Sequence, residues 1–233
     1  MLELGEKCFI IAEAGTCHSS AFIDDRLEKA KRYVLAARNA GADCIKFQMF
    51  DETELFCPYE GDEQRKPRWD NSILRGDGWC QIKEFTEACG MTFLASVFQD
   101  SMVDLLSDMK VQATKVASRA AENFPYGDAP EPYLISTGMN WPSRANAIYL
   151  QCEAKYPSTM RWEQTDVIPG FSDHSGTPWR AVDAISRGCK LIEVHFFIDP
   201  LDAGPDLPAS LDLDQLKIVC EARDAFAEIR RQE

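Results

Sequence analysis

The sequence predicts an α/β fold, a closed (β/α)8 TIM barrel whose outer helices are shortened or missing after strands four to six. Three observations carry this reading. One phrase recurs along the chain: an amphipathic stretch, a glycine, then a short apolar run. It occurs at Ala40-Gly41-Ala42-Asp43 before Cys44–Phe47, at Cys89-Gly90-Met91 before Thr92–Phe98, and at Arg187-Gly188-Cys189 before Lys190–Phe197. A glycine just past a helix supplies its left-handed cap, and the run that follows has strand length. Helices alternating with strands indicate parallel βαβ units. Further apolar runs bring the strand count to eight, and 233 residues suit one barrel domain spanning 1–233. An open doubly wound sheet is the main alternative.

In chain order, the first strand is Cys8–Glu13, followed by a helix over Asp24–Asn39 and the strand Cys44–Phe47. The connection from Met49 to Gly78 is long, charged and aromatic, and reads as a loop over the site. A helix over Trp79–Ala88, the strand Thr92–Phe98, a helix over Asp100–Met109 and the strand Ala113–Ala117 come next. The stretch between Ser118 and Tyr133 contains Pro125, Gly127, Pro130 and Pro132 and cannot continue a helix. Strand five is Tyr133–Ser136. The run from Gly138 to Ala147 allows barely two turns before the strand Ala147–Cys152, and Pro157–Asp166 lacks helical apolar spacing. The strand Val167–Phe171, a helix over Pro178–Ser186, the strand Lys190–Phe197 and a helix over Leu213–Arg230 complete the set. The outward residues of Ala113–Ala117, Tyr133–Ile135 and Ala147–Leu150 are then expected to be partly exposed. Trp141 and Trp162 would cover some of them, and a two-fold homodimer would pack this thin side against its copy.

Composition narrows the function. The chain is 45% hydrophobic and 27% charged, which is globular. Its 25 Lys and Arg against 38 Asp and Glu give a net charge of −13, with a pI near 4.7. Such a surface repels phosphate backbones and anionic lipid, so neither nucleic acid nor a membrane is an expected partner. No run approaches the roughly 20 apolar residues of a membrane helix, and the N-terminus (Met1–Phe9) shows no apolar leader. The nine cysteines form no CxxC pair and read as reduced thiols of a cytoplasmic protein.

Strands of a parallel barrel are covered on both faces and should be apolar, so polar residues inside them are informative. In Ile45-Lys46-Phe47-Gln48, alternation sets Lys46 and Gln48 against the apolar pair. In Ile192-Glu193-Val194-His195-Phe196, it sets Glu193 and His195 against three apolar side chains. Glu13 ends the first strand, Lys115 and Ser118 the fourth, Ser136 the fifth, and Ser172, Asp173 and His174 the seventh. These groups face the C-terminal mouth, where barrels build their sites. His174 and His195 end neighbouring strands beside acidic residues, as metal ligands or as hydrogen-bonded core residues. No HExxH or Cys/His zinc spacing accompanies them. His18 is read as either a substrate contact or a core residue.

Several segments together resemble the sialic acid synthases. They are Ile10-Ile11-Ala12-Glu13-Ala14-Gly15, Gly41–Gln48, Lys115-Val116-Ala117-Ser118, Ile135-Ser136-Thr137-Gly138-Met139, Tyr156-Pro157, Gly170–Gly176, Glu193-Val194-His195-Phe196 and Gly204-Pro205-Asp206. The resemblance implies a phosphoenolpyruvate-condensing barrel that joins this donor to N-acetylmannosamine or a related amino sugar, releasing phosphate. It implies a divalent metal, manganese first with magnesium or cobalt as alternatives, on His174 and His195. It makes Lys46, Lys115, Ser118 and Ser136 donor-binding residues, and Arg119, standing where the pattern has glycine, would add a guanidinium to the phosphate site. Glu13, Glu193 and His174 become the catalytic groups, and Gln48, Tyr156, Ser172 and Asp206 the sugar site. Departures are Cys17 before His18, Arg119, Ala154 and Val194. The sequence predicts the barrel alone, without the small antifreeze-like domain that usually follows it. Two other readings compete: a catalytically impaired barrel that only binds a ligand or partner, and a phosphoenolpyruvate-dependent synthase for another aldose.

Overall fold

A computed structural model describes residues 4–232. The N-terminal reading therefore falls partly on residues outside the described range. Eight parallel strands lie in sequence order, β1 (Phe9–Gly15), β2 (Cys44–Met49), β3 (Thr92–Val97), β4 (Thr114–Val116), β5 (Tyr133–Ser136), β6 (Ala147–Cys152), β7 (Gly170–Asp173) and β8 (Leu191–Phe196). β1 also pairs with β8, which closes the barrel. A two-residue strand β9 (Ser210–Leu211), not foreseen from the sequence, extends from β8.

The helices are α1 (Ile23–Ala40), α2 (Asp62–Asp70), α3 (Gly78–Ala88), α4 (Asp100–Asp108), α5 (Pro178–Ser186), α6 (Pro200–Ala203) and α7 (Leu213–Gln232). Gly41, Gly90 and Gly188 hold positive φ of 95°, 76° and 96°, the left-handed cap that the recurring phrase required. Two boundaries differ from expectation. β7 begins at Gly170 because Pro169 has no N–H for the ladder, which leaves Val167 exposed. The long second connection is not all loop: it carries α2, which buries no side chain and whose Pro67 and charges hide its helical pattern.

No helix lies between β4 and β7 among the described residues, as expected, but the exposure expected there is absent from β4 and β5. Val116, Tyr133 and Ile135 are buried under Ala120, Ala121, Phe124, Tyr126 and Ala129 of the following loop. Trp162 folds back and is 2% exposed, whereas Trp141 stays 56% exposed against Tyr149. Of β4, β5 and β6, only β6 keeps half-exposed residues, Ala147–Tyr149. Loops lying flat on the strands thus replace the helices over β4 and β5, and the apolar patch expected on this side shrinks to β6 and Trp141.

The barrel interior is layered. Ile11, Cys44, Leu94, Ala113, Leu134, Leu150 and Leu191 form one apolar layer, each fully buried. Two residues further along each strand, alternation returns a side chain to the same face. Those positions are Glu13, Lys46, Ser96, Lys115, Ser136, Cys152 and Glu193. Gly170 fills the eighth place of the apolar layer, where a Cβ would lie 2.9 Å from Leu150 Cγ, and Ser172 follows it. An apolar floor therefore carries a polar tier directly above it.

Candidate active site at the barrel mouth

The polar tier forms the base of a cavity of about 280 Å³, and the thirteen residues given roles by the resemblance border it; Asp173, expected at the mouth, does not, and accepts instead from the Ser175 N–H. The register explains their proximity. Glu13 pairs with Lys46 on one side and His195 on the other, Ser96 with Lys115, and Ser172 with Glu193.

Charges alternate around this tier. Lys46 Nζ lies 2.8 Å from Glu13 Oε2 and donates to Ser96 Oγ at 3.0 Å. Lys115 Nζ donates to Ser136 Oγ at 2.8 Å. Both ammonium groups stand 3.8 Å from Glu193 Oε2, and Ser172 Oγ donates to Glu193 Oε1 at 2.8 Å. Burial raises the Glu193 carboxyl, but Lys115 and Lys46 outweigh it and hold the group at about 2. Burial dominates at Glu13, which faces mainly Lys46 and is pushed up to about 7. The two carboxyls thus divide into a fixed anion and a group that gains and loses a proton near neutrality. Burial lowers Lys115, while the two carboxylates overcome burial at Lys46 and raise it.

On the opposite rim, His174 and His195 have ring centroids 5.2 Å apart, and Tyr156 stacks on His174 at 4.6 Å. His174 Nδ1 lies 2.9 Å from the Glu153 carbonyl. A carbonyl only accepts, so Nδ1 carries the proton and Nε2 presents its lone pair toward Ser172. Burial lowers both imidazoles, His174 to about 4, which keeps them neutral at pH 7. Neutral rings, one with its tautomer fixed by a backbone carbonyl, suit a divalent cation. No cluster of three or more His, Cys, Asp or Glu side chains in metal-holding geometry occurs among the described residues. Water and substrate oxygens would supply the remaining positions.

Five buried polar atoms at the cavity have no hydrogen-bond partner among the described residues, Glu13 Oε1 and Oε2, Ser118 Oγ, Arg119 Nε and Glu193 Oε2, although Glu13 Oε2 keeps its ion pair with Lys46. Buried polar atoms are rarely left so, and this grouping marks a place for a polar ligand. Arg119 is engaged from outside the barrel. Its Nη1 and Nη2 donate to Asp62 at 2.8 and 2.7 Å, and Nη2 also to the Cys57 carbonyl at 2.7 Å. Arg119 therefore ties the α2 segment over the mouth. His18 does not reach the cavity; it is buried between Phe47 and Trp79, with Nε2 2.8 Å from the Ser72 carbonyl.

Cavity-lining residues missed in the sequence reading include Ser96, Arg65, Arg68 and Thr16. Ser96 was detectable, since it breaks the apolar alternation of Thr92–Phe98. The two arginines were not, because they sit on a helix whose sequence reads as loop.

Residues 33–232 match the NeuB family. The chain belongs to that family. Human N-acetylneuraminate-9-phosphate synthase is 29% identical over 250 residues, covering 90% of this chain and 67% of that protein. The N,N'-diacetyllegionaminic acid synthase of Campylobacter jejuni is 27% identical, covering 92% and 75%. Among solved structures, the spore coat polysaccharide biosynthesis protein from Bacillus subtilis superimposes with a TM-score of 0.74 at 27% identity, covering 98% and 71%. A sialic acid synthetase from Leptospira borgpetersenii superimposes at 0.80 with 22% identity, covering 98% and 87%. A truncated 3-deoxy-D-arabino-heptulosonate 7-phosphate synthase from Thermotoga maritima superimposes at 0.66 with 15% identity, covering 98% and 90%. Those last two share the fold of this NeuB-family barrel.

Proposed function

We propose that the protein condenses phosphoenolpyruvate with N-acetylmannosamine or a related amino sugar, giving a nine-carbon 2-keto acid of the sialic type and phosphate. One observation carries the reading: a chain of net charge −13 sets Lys46 and Lys115, with the Ser118 and Ser136 hydroxyls, at the base of one cavity. A donor with about three negative charges needs such local focusing of positive charge. Membership in a family whose relatives are named as synthases of nonulosonic acids supports the same assignment.

In the proposed reaction, Lys115 with Ser136, Lys46 with Ser96, and the unpartnered Ser118 hydroxyl bind the donor's carboxylate and phosphate. The acceptor aldehyde lies on the histidine side, oriented by Gln48, Tyr156, Ser172 and Asp206. A divalent cation, with manganese the first choice, would be held by His174 and His195 and would lend Lewis acidity to the aldehyde. The donor's C3 forms a bond to the aldehyde carbon, whose π pair moves to oxygen and is protonated. Water adds to the cationic C2 and loses its proton to a carboxylate, after which the C2–O bond breaks and phosphate leaves. Glu13 suits the proton transfers because its carboxyl titrates near neutrality, while Glu193 stays ionised and steadies the cation.

The donor adds three carbons at the aldehyde, so C6 of the acceptor becomes C9 of the product. Relatives are named for products both with a 9-phosphate and without one. All nine cysteines are free, in keeping with the cytoplasm as its compartment, and no described helix is long and apolar enough to cross a membrane. The test is phosphate release from phosphoenolpyruvate with manganese and a panel of amino sugars. Release that depends on both acceptor and metal supports the proposal; release with none of them rejects it.

A further inference from the structure

Five basic side chains border the cavity, and they differ in what faces them. Lys46 has Glu13 at 2.8 Å, Lys115 has Glu193 at 3.8 Å, and Arg119 has Asp62 at 2.7 Å. Arg65 and Arg68 have no carboxylate within ion-pair distance among the described residues. They stand one turn apart on α2, on the face that also carries Trp69, which stacks on Phe50 at 4.8 Å. This stacking turns the face toward the mouth. Arg68 donates only to neutral groups: Nε to Thr16 Oγ1 at 2.6 Å, and Nη2 to the carbonyls of Thr16 and Asp202. Its guanidinium lies against Gly204, where φ is +56° and a Cβ would stand 2.6 Å from Nη1. The loop is thus shaped around an arginine that has no ion-pair partner among the described residues.

The position of these arginines separates them from the donor site. Thr16 follows β1, and Asp202 and Gly204 follow β8, so Arg68 is anchored on the rim that carries His195 and Asp206. Lys46, Lys115 and Arg119 project from or follow β2 and β4. The mouth therefore has two cationic poles, and the proposed donor site takes the one at β2 and β4.

We infer that the acceptor is a phosphorylated amino sugar whose phosphate, on the end remote from the aldehyde, is held by Arg65 and Arg68. The inference rests on the condensation reading above and selects, among its acceptors, the sugar phosphate over the free sugar. Two guanidinia present several N–H donors in the geometry that a phosphate monoester accepts. Arg68 is fixed by its backbone contacts, and Arg65, solvent-exposed, closes on the ligand.

Calorimetry on the manganese-loaded protein with N-acetylmannosamine 6-phosphate and with N-acetylmannosamine, both without phosphoenolpyruvate, reads this directly. The sugar phosphate should bind at least tenfold more tightly than the free sugar. Arg65→Gln should remove at least tenfold of its affinity, bringing the ratio of the two sugars close to one, and Arg65→Lys should recover part of it. Equal binding of the two sugars overturns the inference. So does an Arg65→Gln variant that weakens phosphoenolpyruvate as much as the sugar phosphate, since that places Arg65 at the donor pole. Phosphate release is followed in parallel. Selective sugar-phosphate binding without any release supports the anion site and rejects the condensation reading, so the two failures are told apart.

Discussion

Replacing Lys115 by methionine should separate ligand binding from stability. The Lys115 side chain is 2% exposed, with Ser136 Oγ 2.8 Å and Glu193 Oε2 3.8 Å from its ammonium group. Burial works against that charge, so the fold gains little from it. Methionine fills nearly the same space and carries no desolvation cost. The losses are one hydrogen bond to Ser136, about 1 kcal/mol, and half of the compensation for Glu193, which keeps Lys46. The net change in unfolding free energy should stay within about 1.5 kcal/mol. Donor binding instead loses a charge-assisted hydrogen bond of roughly 1.5–3 kcal/mol, a weakening of roughly 10- to 150-fold in Kd. Lys46→Met should behave differently. It strands Glu13, 1% exposed and 2.8 Å from its partner, and breaking a buried pair costs about 3–5 kcal/mol. Glu13 already titrates near 7 and escapes part of that cost by binding a proton. The folded carboxyl then holds a proton that the unfolded one has released, so the Lys46→Met penalty grows between pH 6 and pH 8. A Glu13→Gln/Lys46→Met double variant should recover most of the loss. Calorimetry with phosphoenolpyruvate and urea unfolding at pH 8 measure both quantities. A Lys115→Met protein that binds the donor within threefold of the parent, or unfolds more easily than Lys46→Met, would refute the division of roles.

Three further outcomes follow from the structure. Burial holds His18 at about 4 against 6.5 when unfolded, so below pH 6.5 the unfolded chain binds the extra proton and stability falls toward pH 4. His18→Gln should remove about 2–3 kcal/mol of that loss between pH 7.5 and 4.5 in urea unfolding, and an unchanged slope contradicts the neutral-core assignment. Trp162→Ala should cost about 3–5 kcal/mol in thermal or chemical unfolding because the ring replaces a missing helix, whereas a cost below about 1 kcal/mol would show that it covers nothing essential. Asp62→Asn should loosen α2 from Arg119 and speed limited proteolysis between residues 52 and 77 severalfold, with global stability shifting by only about 1 kcal/mol; an unchanged cleavage rate would mean that the pair does not hold the segment.

The barrel was legible because its rule is local. Glycine caps and strand-length apolar runs recur wherever a βα unit closes, and the inward polar tier follows from alternation once the floor residues are identified. Glu13, Lys46, Lys115, Ser136 and Glu193 could be placed at the mouth on that basis. What the sequence hid was carried by contacts distant along the chain. Arg119 looked like a ligand for phosphate, yet its bidentate partner Asp62 lies 57 residues away. The loop that shields β4 and β5 has no periodicity, since Ala120, Phe124 and Tyr126 pack by position rather than by helical spacing. α2 is a helix with no buried side chain, held by Arg26 donating to the carbonyls of Asp70 and Ile73 and by the Trp69 stack. An apolar-pattern reading has nothing to detect there.

The central claim is tested most directly by following the bridging oxygen of phosphoenolpyruvate. The protein would be incubated with manganese, N-acetylmannosamine 6-phosphate and donor labelled with 18O between C2 and phosphorus. Mass spectrometry would then weigh both products. The account predicts a nine-carbon keto acid equal to acceptor plus pyruvate, with the label leaving in the phosphate because the C2–O bond breaks. Label retained in the keto acid, or phosphate appearing together with free pyruvate and unchanged sugar, would contradict it.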